Sequence, residues 1–550
     1  MLTALVAVGA AQLIAAAIAS PGAAPIVAVG ELSIDHAPAA VKNFAISTFG
    51  SADKTVLVWG IRVVLIVLAA FIGILALRRL WFGFIGLVVL AGIGVDAALV
   101  RPNATASDAL PSLVGAAAGA LALWYFCLLA RRVLTGTAAA ADQMWPARGT
   151  DTEPAHPHSS SGQPPTAPAA IPDWRPEEPL PESAWAAAEA DTTNRRKFLL
   201  TGLAAAAGSL IAYGAGSRLA SSRSVSASAQ ALRLPRPASP APPLAAGTDL
   251  KIPGLSPFIT PNNRFYRVDT ALVLPEILPT DWQLRVHGMV QRELVLSFDE
   301  LIKRPLVEDY VTLCCVSNPV GGPYIGNAKW LGASLRGLLQ EAGVRPGATQ
   351  LLCTSHDGFT SGTPVATAMD GRDALLAVAM NNAPLPIAHG FPARLVIPGL
   401  YGYVSACKWI VDIEVTTYEA AQAYWVPRGW SAHGPIKTES RIDVPSGGNQ
   451  ITTGRTVTIA GVAWAQHKGI EAVEVRIANG PWQQARLAGV PGIDTWQQWA
   501  YEWHVSEPPG TYQIEARATD KTGYTQTSLA QPPDPNGASG YPSVLVIVAA

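Results

Sequence analysis

The sequence predicts a multi-domain protein with an N-terminal α-helical transmembrane bundle, an α+β domain and a C-terminal all-β sandwich. Three observations predict this order. The chain has 550 residues, which is too long for one compact core. Only 14% of the residues are charged, and this indicates membrane segments beside soluble domains. From about residue 250 onward, apolar stretches give way to short alternating strands separated by Gly and Pro turns.

Charge and cysteine content exclude several classes of protein. The formal net charge is −1, which argues against nucleic acid as a partner because phosphate binding requires a basic surface. The cysteines form neither a CxxC pair nor a CxxCH haem-attachment site, so the sequence favours a single functional thiolate over a disulfide framework. The five cysteines are Cys127, Cys314, Cys315, Cys353 and Cys407.

Five apolar stretches predict a multi-pass plasma-membrane protein. They cover roughly 2–19, 55–76, 81–99, 110–130 and 198–216, and each approaches the ~20 residues that cross the hydrocarbon core. Short cytoplasmic loops carry the excess of Lys and Arg. The basic clusters at 78–79, 131–132 and 195–197 can all be cytoplasmic only if Met1 starts inside. Five crossings then place residue 217 onward outside the cytoplasm, so we expect an extracytoplasmic catalytic domain.

Composition divides the rest of the chain. The stretch before the fifth helix is rich in Pro, Ala and Ser and is too polar to form a packed core, which predicts a disordered cytoplasmic linker. The predicted domains are 1–135 (four-helix transmembrane region), 136–195 (disordered linker), 196–217 (fifth transmembrane helix), 218–249 (extracytoplasmic linker), 250–440 (catalytic α+β domain) and 441–550 (β-sandwich).

The basic residues before the fifth helix permit two interpretations. The run Asn194–Leu200, NRRKFLL, resembles a twin-arginine export signal, while a plain positive-inside anchor would explain the same arginines. The segment SASAQA at 226–231 offers a small-residue cleavage site, but it lies well beyond the helix, so we expect an uncleaved anchor. None of the nine histidines falls in a predicted crossing, and the helices are therefore expected to anchor the chain rather than to bind haem b.

Local patterns predict individual elements of the soluble part. Ser297 followed by Glu300 is typical of a helix start with a capping box. The predicted strands are Trp282–Val286, Leu294–Ser297, Val457–Ala463, Val473–Ile477, Trp499–Val505 and Gly510–Asp520, and the predicted helices are 297–303 and Ser334–Ala342.

The centre of the α+β domain is a cysteine loop. Val311–Gly322, VTLCCVSNPVGG, reads as a strand that carries a cysteine into a turn rich in Gly, Ser and Asn, and Ile325–Trp330 follows. A thiolate at such a position suits a soft metal centre. The local alternative is a pair of small apolar residues buried at the end of a strand.

The segment TLCCVSNPVGG, followed by IGNAKWLGASL, resembles the cysteine loop of the sulfite-oxidase and molybdopterin oxidoreductase family. The resemblance implies a molybdenum–molybdopterin cofactor, with Cys315 as the catalytic residue and the molybdenum ligand. Cys314 takes the preceding, variable place. It also implies a two-electron oxygen-atom transfer on a small-molecule substrate, in which metal and pterin supply the chemistry and the protein supplies ligation and orientation.

Two further blocks carry the same resemblance. Asn381–Arg394, followed by Lys408-Trp409, looks like the family's pterin-phosphate segment, and Asn262–Arg267, NNRFYR, looks like its entry loop. A guanidinium fork, a lysine and backbone amides suit a phosphate. The implied cofactor-binding residues are Asn263, Tyr266, Arg267, Ser355, His389, Arg394, Ala406, Cys407 and Lys408.

The C-terminal segment resembles the family's immunoglobulin-like domain, which implies a homodimer.

The chain also departs from the family. Sulfite-oxidising members follow the ligand cysteine with Gly-Asn-Arg-Arg, whereas Cys315 is followed by Val-Ser-Asn-Pro, and Val378 stands where they place a tyrosine. The substrate therefore stays open between a sulfite-like and a sulfoxide-like molecule. Because the chain has no haem or iron–sulfur motif, we expect a separate electron-transfer partner, either a redox protein or a membrane carrier.

Two other classes of function remain as alternatives. The first is a cofactor-free extracytoplasmic interaction module that keeps the fold, and metal content would separate it from the enzyme. The second is a transporter whose soluble domain senses or gates. The near-absence of polar residues in the predicted crossings argues against transport, and flux measurements in vesicles would test it.

Overall fold

The computed structural model describes residues 1–550 except 19, 39–40, 42–43, 45–47, 49–52, 102–103, 145–181 and 223–224. The chain forms two compact units. The first contains Met1–Ser33, Thr55–Val100 and Ala104–Ser222, and the second contains Ile34–Lys54, Arg101–Asn103 and Arg223–Ala550.

The first unit is helical. Four of its helices are long and apolar enough to cross a membrane, by length and composition, and they correspond to four of the five predicted crossings. These candidate spans are Lys54–Arg78, Leu80–Leu99, Ala106–Arg131 and Arg196–Gly216. The helices that lie wholly or largely in this unit are α1 Leu2–Ala17, α2 Pro25–His36, α3 Asp53–Arg78, α4 Leu80–Leu99, α5 Leu110–Met144 and α6 Glu182–Ser222. The end of α2, from Ile34, and the start of α3, up to Lys54, group with the second unit.

The first predicted crossing differs from the expectation of a full span. Helix α1 has 16 residues, which is short of the ~20 that a crossing requires. The chain then makes a short 3₁₀ turn from Pro21 and starts α2 at Pro25. Proline lacks the N–H that would bond to the preceding turn of a helix, so the helix is interrupted between Ala17 and Pro25. The described residues therefore support four crossings by length, not five.

Helix α1 packs closely against α5 and α6 through small residues. A Cβ atom added at Gly9 would lie 2.9 Å from the carbonyl oxygen of Ser209, and one added at Gly115 would lie 2.8 Å from that of Ala7. Small side chains allow helix backbones to approach this closely, as is common among helices packed in lipid.

The predicted linker 136–195 begins and ends in helix. Helix α5 continues to Met144 and α6 starts at Glu182, so residues 136–144 and 182–195 are helical. Both stretches are rich in alanine, whose high helix propensity extends the neighbouring helices. The centre of the predicted linker, 145–181, lies outside the described residues.

The second unit is mainly β-structure with short helices. Its helices are α7 Val225–Ala231, α8 Phe298–Ile302, α9 Leu335–Ala342, α10 Val365–Met369 and α11 Gly402–Ser405. Its strands are β1 Gln283–Gly288, β2 Leu294–Ser297, β3 Leu306–Cys314, β4 Ile325–Ser334, β5 Gln350–Ser355, β6 Thr360–Pro364, β7 Leu375–Met380, β8 Ala383–Pro384, β9 Arg394–Val396, β10 Ile410–Thr416, β11 Glu439–Val444, β12 Gln450–Thr452, β13 Thr456–Trp464, β14 Ile470–Ile477, β15 Gln483–Gln484, β16 Arg486–Leu487, β17 Gln497–His504, β18 Gly510–Asp520 and β19 Ser543–Ala549.

Residues 283–416 build two sheets with the α helices around them. One sheet has the order β3-β4-β7-β8, with β9 paired to β7, and the other has the order β2-β1-β10-β5-β6. The predicted strand Leu294–Ser297 is confirmed. The predicted capping box is also confirmed, since the Glu300 amide donates to the Ser297 hydroxyl and the Glu300 carboxylate accepts from the Ser297 amide.

Residues 439–549 build two further sheets with a common core. Their orders are β11-β13-β17-β16 and β12-β19-β18-β14-β15, and buried side chains from both meet in one apolar cluster that includes Trp499 and Val546. The four predicted C-terminal strands are confirmed as β13, β14, β17 and β18. An immunoglobulin-like fold and a homodimer through this region stay predictions.

The strand that leads to the cysteine loop is braced by the C-terminal sheets. The amide of Trp496 donates to the Thr312 hydroxyl at 2.7 Å, and the Gln466 side chain donates to the Thr312 carbonyl at 3.0 Å. Trp464 and Trp496 share an apolar cluster with Phe258 and Cys314. Thr312 is fully buried on β3, so these bonds fix the strand two residues before Cys314. The domain boundary predicted at 440 stays a prediction, because contacts group both sides into one compact unit.

Candidate functional site

The cysteine loop closes the hairpin of β3 and β4. Cys314 pairs with Ile325 as the last register pair, and Cys315 begins the loop. The Cys315 amide donates to the carbonyl of Tyr324 at 2.9 Å, and its carbonyl accepts from the Asn318 amide at 3.1 Å. The Asn318 side chain in turn accepts from the Tyr324 amide at 2.8 Å. These bonds give the loop a defined conformation that presents Cys315 at a fixed position.

The two adjacent cysteines have different surroundings. Cys314 is completely buried in the strand, and its thiol donates to the Cys315 carbonyl at 3.5 Å. Burial raises the pKa of the Cys315 thiol, while Ser317 and the positive charge of Lys408 act to lower it. Burial and the nearby Glu439 both raise the pKa of Cys314. Cys315 is therefore the cysteine that interacts with Lys408, a cation of the predicted cofactor site, and its role as the metal ligand stays a prediction.

The entry loop reaches the cysteine pair through Tyr266. The rings of Phe265 and Tyr266 stack at 5.3 Å between centroids, and Phe265 is buried. Burial raises the pKa of the Tyr266 phenol well above 10, and the neighbouring Cys315 and Cys314 raise it further. Tyr266 is therefore a neutral hydrogen-bonding group beside the two thiols. Asn263, by contrast, is exposed.

His389 joins the entry loop to the pterin-phosphate segment. Its Nε2 is 3.1 Å from the carbonyl oxygen of Asn262, and its ring is 5.6 Å from that of Phe265 between centroids. Burial lowers the pKa of His389 to about 4, and the positive charge of Arg394 contributes. The imidazole is consequently neutral at neutral pH and donates from Nε2 to the carbonyl.

Arg394 is a buried cation on β9. Only 5% of the residue is exposed, and its guanidinium lies 5.1 Å above the ring of Trp330. It donates to the carbonyls of His389 at 3.1 Å and Ala406 at 3.4 Å, and no carboxylate pairs with it among the described residues. Burial lowers the pKa of Arg394 to about 10, so the side chain keeps its charge at neutral pH.

Lys408 and Arg267 share the carboxylate of Asp269. The Lys408 ammonium is 2.8 Å and the Arg267 Nε is 2.7 Å from the Asp269 Oδ2 atom. Burial lowers the pKa of Lys408 to about 8, although Asp269 opposes this. Burial alone would raise the pKa of Asp269, but the surrounding cations hold it well below its usual range. Asp269 was missed by the sequence analysis, although it stands only two residues after Arg267.

The remaining predicted residues have different environments. The hydroxyl of Ser355 is buried and has no hydrogen-bond partner within the described part of the chain. The backbone amide of Ala406, predicted to bind phosphate, donates to the Gly402 carbonyl at 3.0 Å. It is already engaged, because the turn after α11 closes on it. The thiol of Cys407 is fully buried and donates to the Cys353 carbonyl at 3.7 Å.

These residues leave an excess of positive charge in the predicted cofactor site. Arg267 and Lys408 share the carboxylate of Asp269, Arg394 is buried without a carboxylate partner among the described residues, and the Lys408 side chain is only 11% exposed. A buried charge without a counter-ion is unfavourable, so the arrangement suits an anionic ligand. The free hydroxyl of Ser355 adds a polar group that a ligand can satisfy. The residues present therefore fit a metal–pterin cofactor whose phosphate would contact the cations and whose metal would be bound by one thiolate.

The buried carboxyl of Glu439 lies near Cys314, and its surroundings predict that the stability of the fold depends on pH. Glu439 is the first residue of β11, and its Oε1 atom is buried without a hydrogen-bond partner among the described residues. Burial raises the pKa of Glu439 from 4.5 to about 8, while Lys437 opposes the shift. No motif in the sequence indicates a role for this residue.

Glu439→Gln should remove a pH-dependent loss of stability. Between pH 4.5 and about 8 the unfolded carboxyl loses its proton while the folded one keeps it, so folding becomes less favourable as pH rises. The slope is about 1.4 kcal/mol per pH unit for one such group. We expect Glu439→Gln to match wild type near pH 4.5 and to be the more stable protein at pH 8, in urea unfolding followed by near-ultraviolet circular dichroism. The exposed Glu471→Gln is the control, and parallel pH profiles for Glu439→Gln and wild type would contradict the prediction.

The comparisons with known proteins agree with the geometry of the site. A family model described as the oxidoreductase molybdopterin binding domain matches residues 271–425. Rat (Rattus norvegicus) mitochondrial sulfite oxidase is 30% identical over 322 residues, which are 50% of this chain and 58% of that protein. Sulfite oxidase of Gallus gallus is 30% identical over 322 residues and is covered to 69% of its length.

The matches cover part of the chain. The chain spans 58% of the length of rat sulfite oxidase. Among solved structures, the sulfane dehydrogenase of Paracoccus pantotrophus is 23% identical with a TM-score of 0.46, covering 53% of this chain and 84% of that one. The family model and the chicken enzyme carry the assignment. The chain belongs to the sulfite oxidase-type family of molybdopterin-dependent oxidoreductases, whose cofactor is molybdenum bound to molybdopterin.

Proposed function

We propose that this chain is a membrane-anchored, extracytoplasmic oxidoreductase that catalyses a two-electron oxygen-atom transfer on a small substrate. The observation that carries the proposal is the excess of positive charge that Arg394 and Lys408 place in the predicted pterin-phosphate segment, where Arg394 is buried and the Lys408 side chain is 11% exposed. When bound, the molybdenum cofactor supplies the oxygen-atom transfer and the change of two electrons. The chain supplies the ligand, the orientation and the electrostatic field.

Cys315 is proposed as the protein ligand of the metal. A thiol binds a metal as the thiolate, so cofactor binding releases the proton of Cys315. Lys408 favours the thiolate because its positive charge acts to lower the pKa of Cys315. The bonds within the loop 315–324 hold the sulfur in place before the cofactor arrives.

Arg394 and Lys408 are proposed to bind the phosphate of the pterin. A guanidinium offers two parallel donors to a phosphate, and a lysine adds a point charge. Arg394 is buried and the Lys408 side chain is only 11% exposed, so the interaction takes place largely away from water and is weakly screened. Ser355 and Tyr266 are proposed to contact the cofactor, Ser355 through a hydroxyl that has no partner among the described residues.

The substrate is proposed to be a sulfite-like or sulfoxide-like molecule. Val378, at the position where sulfite-oxidising members carry a tyrosine, is fully buried in β7, so this position offers no hydroxyl to a substrate. The loop after Cys315 has Val-Ser-Asn-Pro in place of the two arginines of those members. Fewer cations near the metal weaken binding of a small dianion, which favours a neutral substrate such as a sulfoxide.

The proposed orientation rests on the basic clusters. Arg78-Arg79, Arg131-Arg132 and Arg195-Arg196 flank the four candidate spans, and all three can be cytoplasmic with residue 217 onward outside. This orientation of the catalytic part does not depend on whether α1 crosses, because α1 precedes the first cluster. Export of a folded, loaded domain through a twin-arginine signal at 194–200 would be consistent with it.

Two partners are part of the proposal. The electrons are proposed to pass to or from a separate redox protein or a membrane carrier, since the sequence has no CxxCH or iron–sulfur motif. Residues 441–550 are proposed to form an immunoglobulin-like domain that mediates a homodimer. The two sheets with a common core support the first half of that statement.

Metal analysis of the full-length protein tests the proposal. The chain should be purified from a host that makes the molybdenum cofactor and exports folded proteins through the twin-arginine route. We expect close to one molybdenum and one pterin per chain, because the proposal assigns one thiolate ligand and one phosphate site to each chain. A well-folded chain without molybdenum or tungsten, from a host that loads a known relative, would refute the enzyme and leave the interaction module.

A further inference from the structure

The carboxylate of Asp269 binds a third cation, Lys54. Its Oδ1 atom accepts from the Lys54 ammonium at 2.5 Å and from the Arg267 Nη2 at 3.2 Å. Its Oδ2 atom accepts from the Arg267 Nε at 2.7 Å and from the Lys408 ammonium at 2.8 Å. The Asp269 side chain is only 4% exposed, so both oxygens are satisfied by cations in a buried setting.

Lys54 comes from a distant part of the sequence. It stands 215 residues before Asp269, yet Ile34–Lys54 groups with the second compact unit. Its ammonium also donates to the carbonyl of Ala271 at 2.7 Å, and its side chain is 26% exposed. Lys54 lies outside the region that the family model matches, 271–425, and no pattern around it indicated a role in the site.

We infer that Lys54 is a positioning residue of the cofactor site, which compensates Asp269 so that Lys408 stays available to the anionic end of the cofactor. The inference rests on the proposed function. Asp269 competes with an incoming phosphate for the Lys408 ammonium, since the two are 2.8 Å apart. When Lys408 binds the phosphate instead, Lys54 and Arg267 still neutralise the charge of the Asp269 carboxylate.

The same contacts permit a purely structural role, in which Lys54 only fixes its own position against Asp269 and Ala271. The two roles differ in how they depend on Asp269. A positioning role acts through the carboxylate and disappears when the carboxylate is removed. A structural attachment also uses the bond to the Ala271 carbonyl, which remains.

Cofactor release from the full-length chain measures the effect. Wild type, Lys54→Gln, Lys54→Arg and the exposed control Lys303→Met are transferred to cofactor-free buffer, and bound molybdenum and pterin are followed over time. We expect Lys54→Gln to release molybdenum and pterin about tenfold faster than wild type. This is the usual effect of a residue that orients a ligand-binding side chain without touching the ligand itself. Lys54→Arg and Lys303→Met should match wild type. Equal release from Lys54→Gln and wild type would overturn the inference.

The same substitution in an Asp269→Asn background separates the two roles. We expect Lys54→Gln to have no further effect there, since the carboxylate that it served is gone. An equal loss in both backgrounds, or a lowered unfolding temperature of Lys54→Gln that persists with Asp269→Asn, would show structural attachment and overturn the inference.

Failure of the proposed function gives a different result. In that case wild type itself holds neither molybdenum nor pterin. Inorganic phosphate is then the probe for the same purified chains, with the shift in unfolding temperature as readout. If phosphate raises the unfolding temperature of Lys54→Gln less than that of wild type, Lys54 supports anion binding at this site. Equal shifts would show that it does not, and would overturn the inference.

Discussion

Cys315→Ser should abolish oxygen-atom transfer and lower the bound molybdenum to a small fraction of one per chain. A serine hydroxyl has a far higher pKa than a thiol and is a poor ligand for a soft metal, so the single bond from the protein to the metal is lost. The pterin phosphate would still contact Arg394 and Lys408, so some pterin should remain. The measurement is molybdenum and pterin content of the two proteins, together with the visible absorption that a thiolate ligand gives to the metal.

Cys314→Ser is the matched control because it changes the same atoms one residue away. The Cys314 thiol donates to the Cys315 carbonyl at 3.5 Å, and a serine hydroxyl can make the same bond. Cys314 is completely buried between the sheets, so we expect a modest loss of unfolding temperature and a molybdenum content close to wild type. Equal loss of metal from both variants would contradict the assignment of the ligand.

Elements that depend on local signals were predictable from the sequence. The strand Gly510–Asp520 and the helix after Ser297 have the predicted positions, because alternation of apolar residues and a capping box act within a few residues. The ends of helices depend on competing effects. The predicted linker 136–195 has helical ends, since alanine propensity near α5 and α6 outweighs the polar composition of the segment.

The motifs of the family single out residues that the fold brings together. Tyr266 interacts electrostatically with Cys315 and Arg394, and Lys408 with Cys315 and Arg394, while their roles toward the cofactor stay predictions. Asp269, Lys54 and Glu439 were missed, because Lys54 and Lys408 reach Asp269 from distant parts of the sequence and Glu439 lies near the equally distant Cys314. No local pattern tells that a carboxylate will be buried among cations. Ala406 shows the opposite case. Its amide was predicted to bind phosphate, but in the fold this amide donates to the Gly402 carbonyl in a turn.

The buried cation Arg394 is expected to make the largest contribution to pterin binding among the residues that do not touch the metal. It carries its charge in a site with 5% exposure and without a carboxylate partner among the described residues. Arg394→Met should therefore lower the affinity for the phosphate-bearing cofactor about tenfold to a hundredfold. The substitution removes a charge-assisted, bidentate contact from a buried site, where solvent screens the charge only weakly. Arg394→Lys keeps the charge but not the planar fork, and an intermediate loss is expected.

The thermal stability of loaded and cofactor-free chains checks this expectation independently of turnover. A ligand that binds only the folded state raises stability, by about 2.7 kcal/mol when its concentration is a hundred times its dissociation constant. Wild type should therefore unfold at a clearly higher temperature when loaded than when purified from a host without the cofactor. For Arg394→Met the two temperatures should nearly coincide, while the exposed control Arg345→Met should keep the wild-type difference. If Arg394→Met retained both the pterin and the full stabilisation, the buried charge would serve the fold alone, and the phosphate would have to be bound by Lys408 without it.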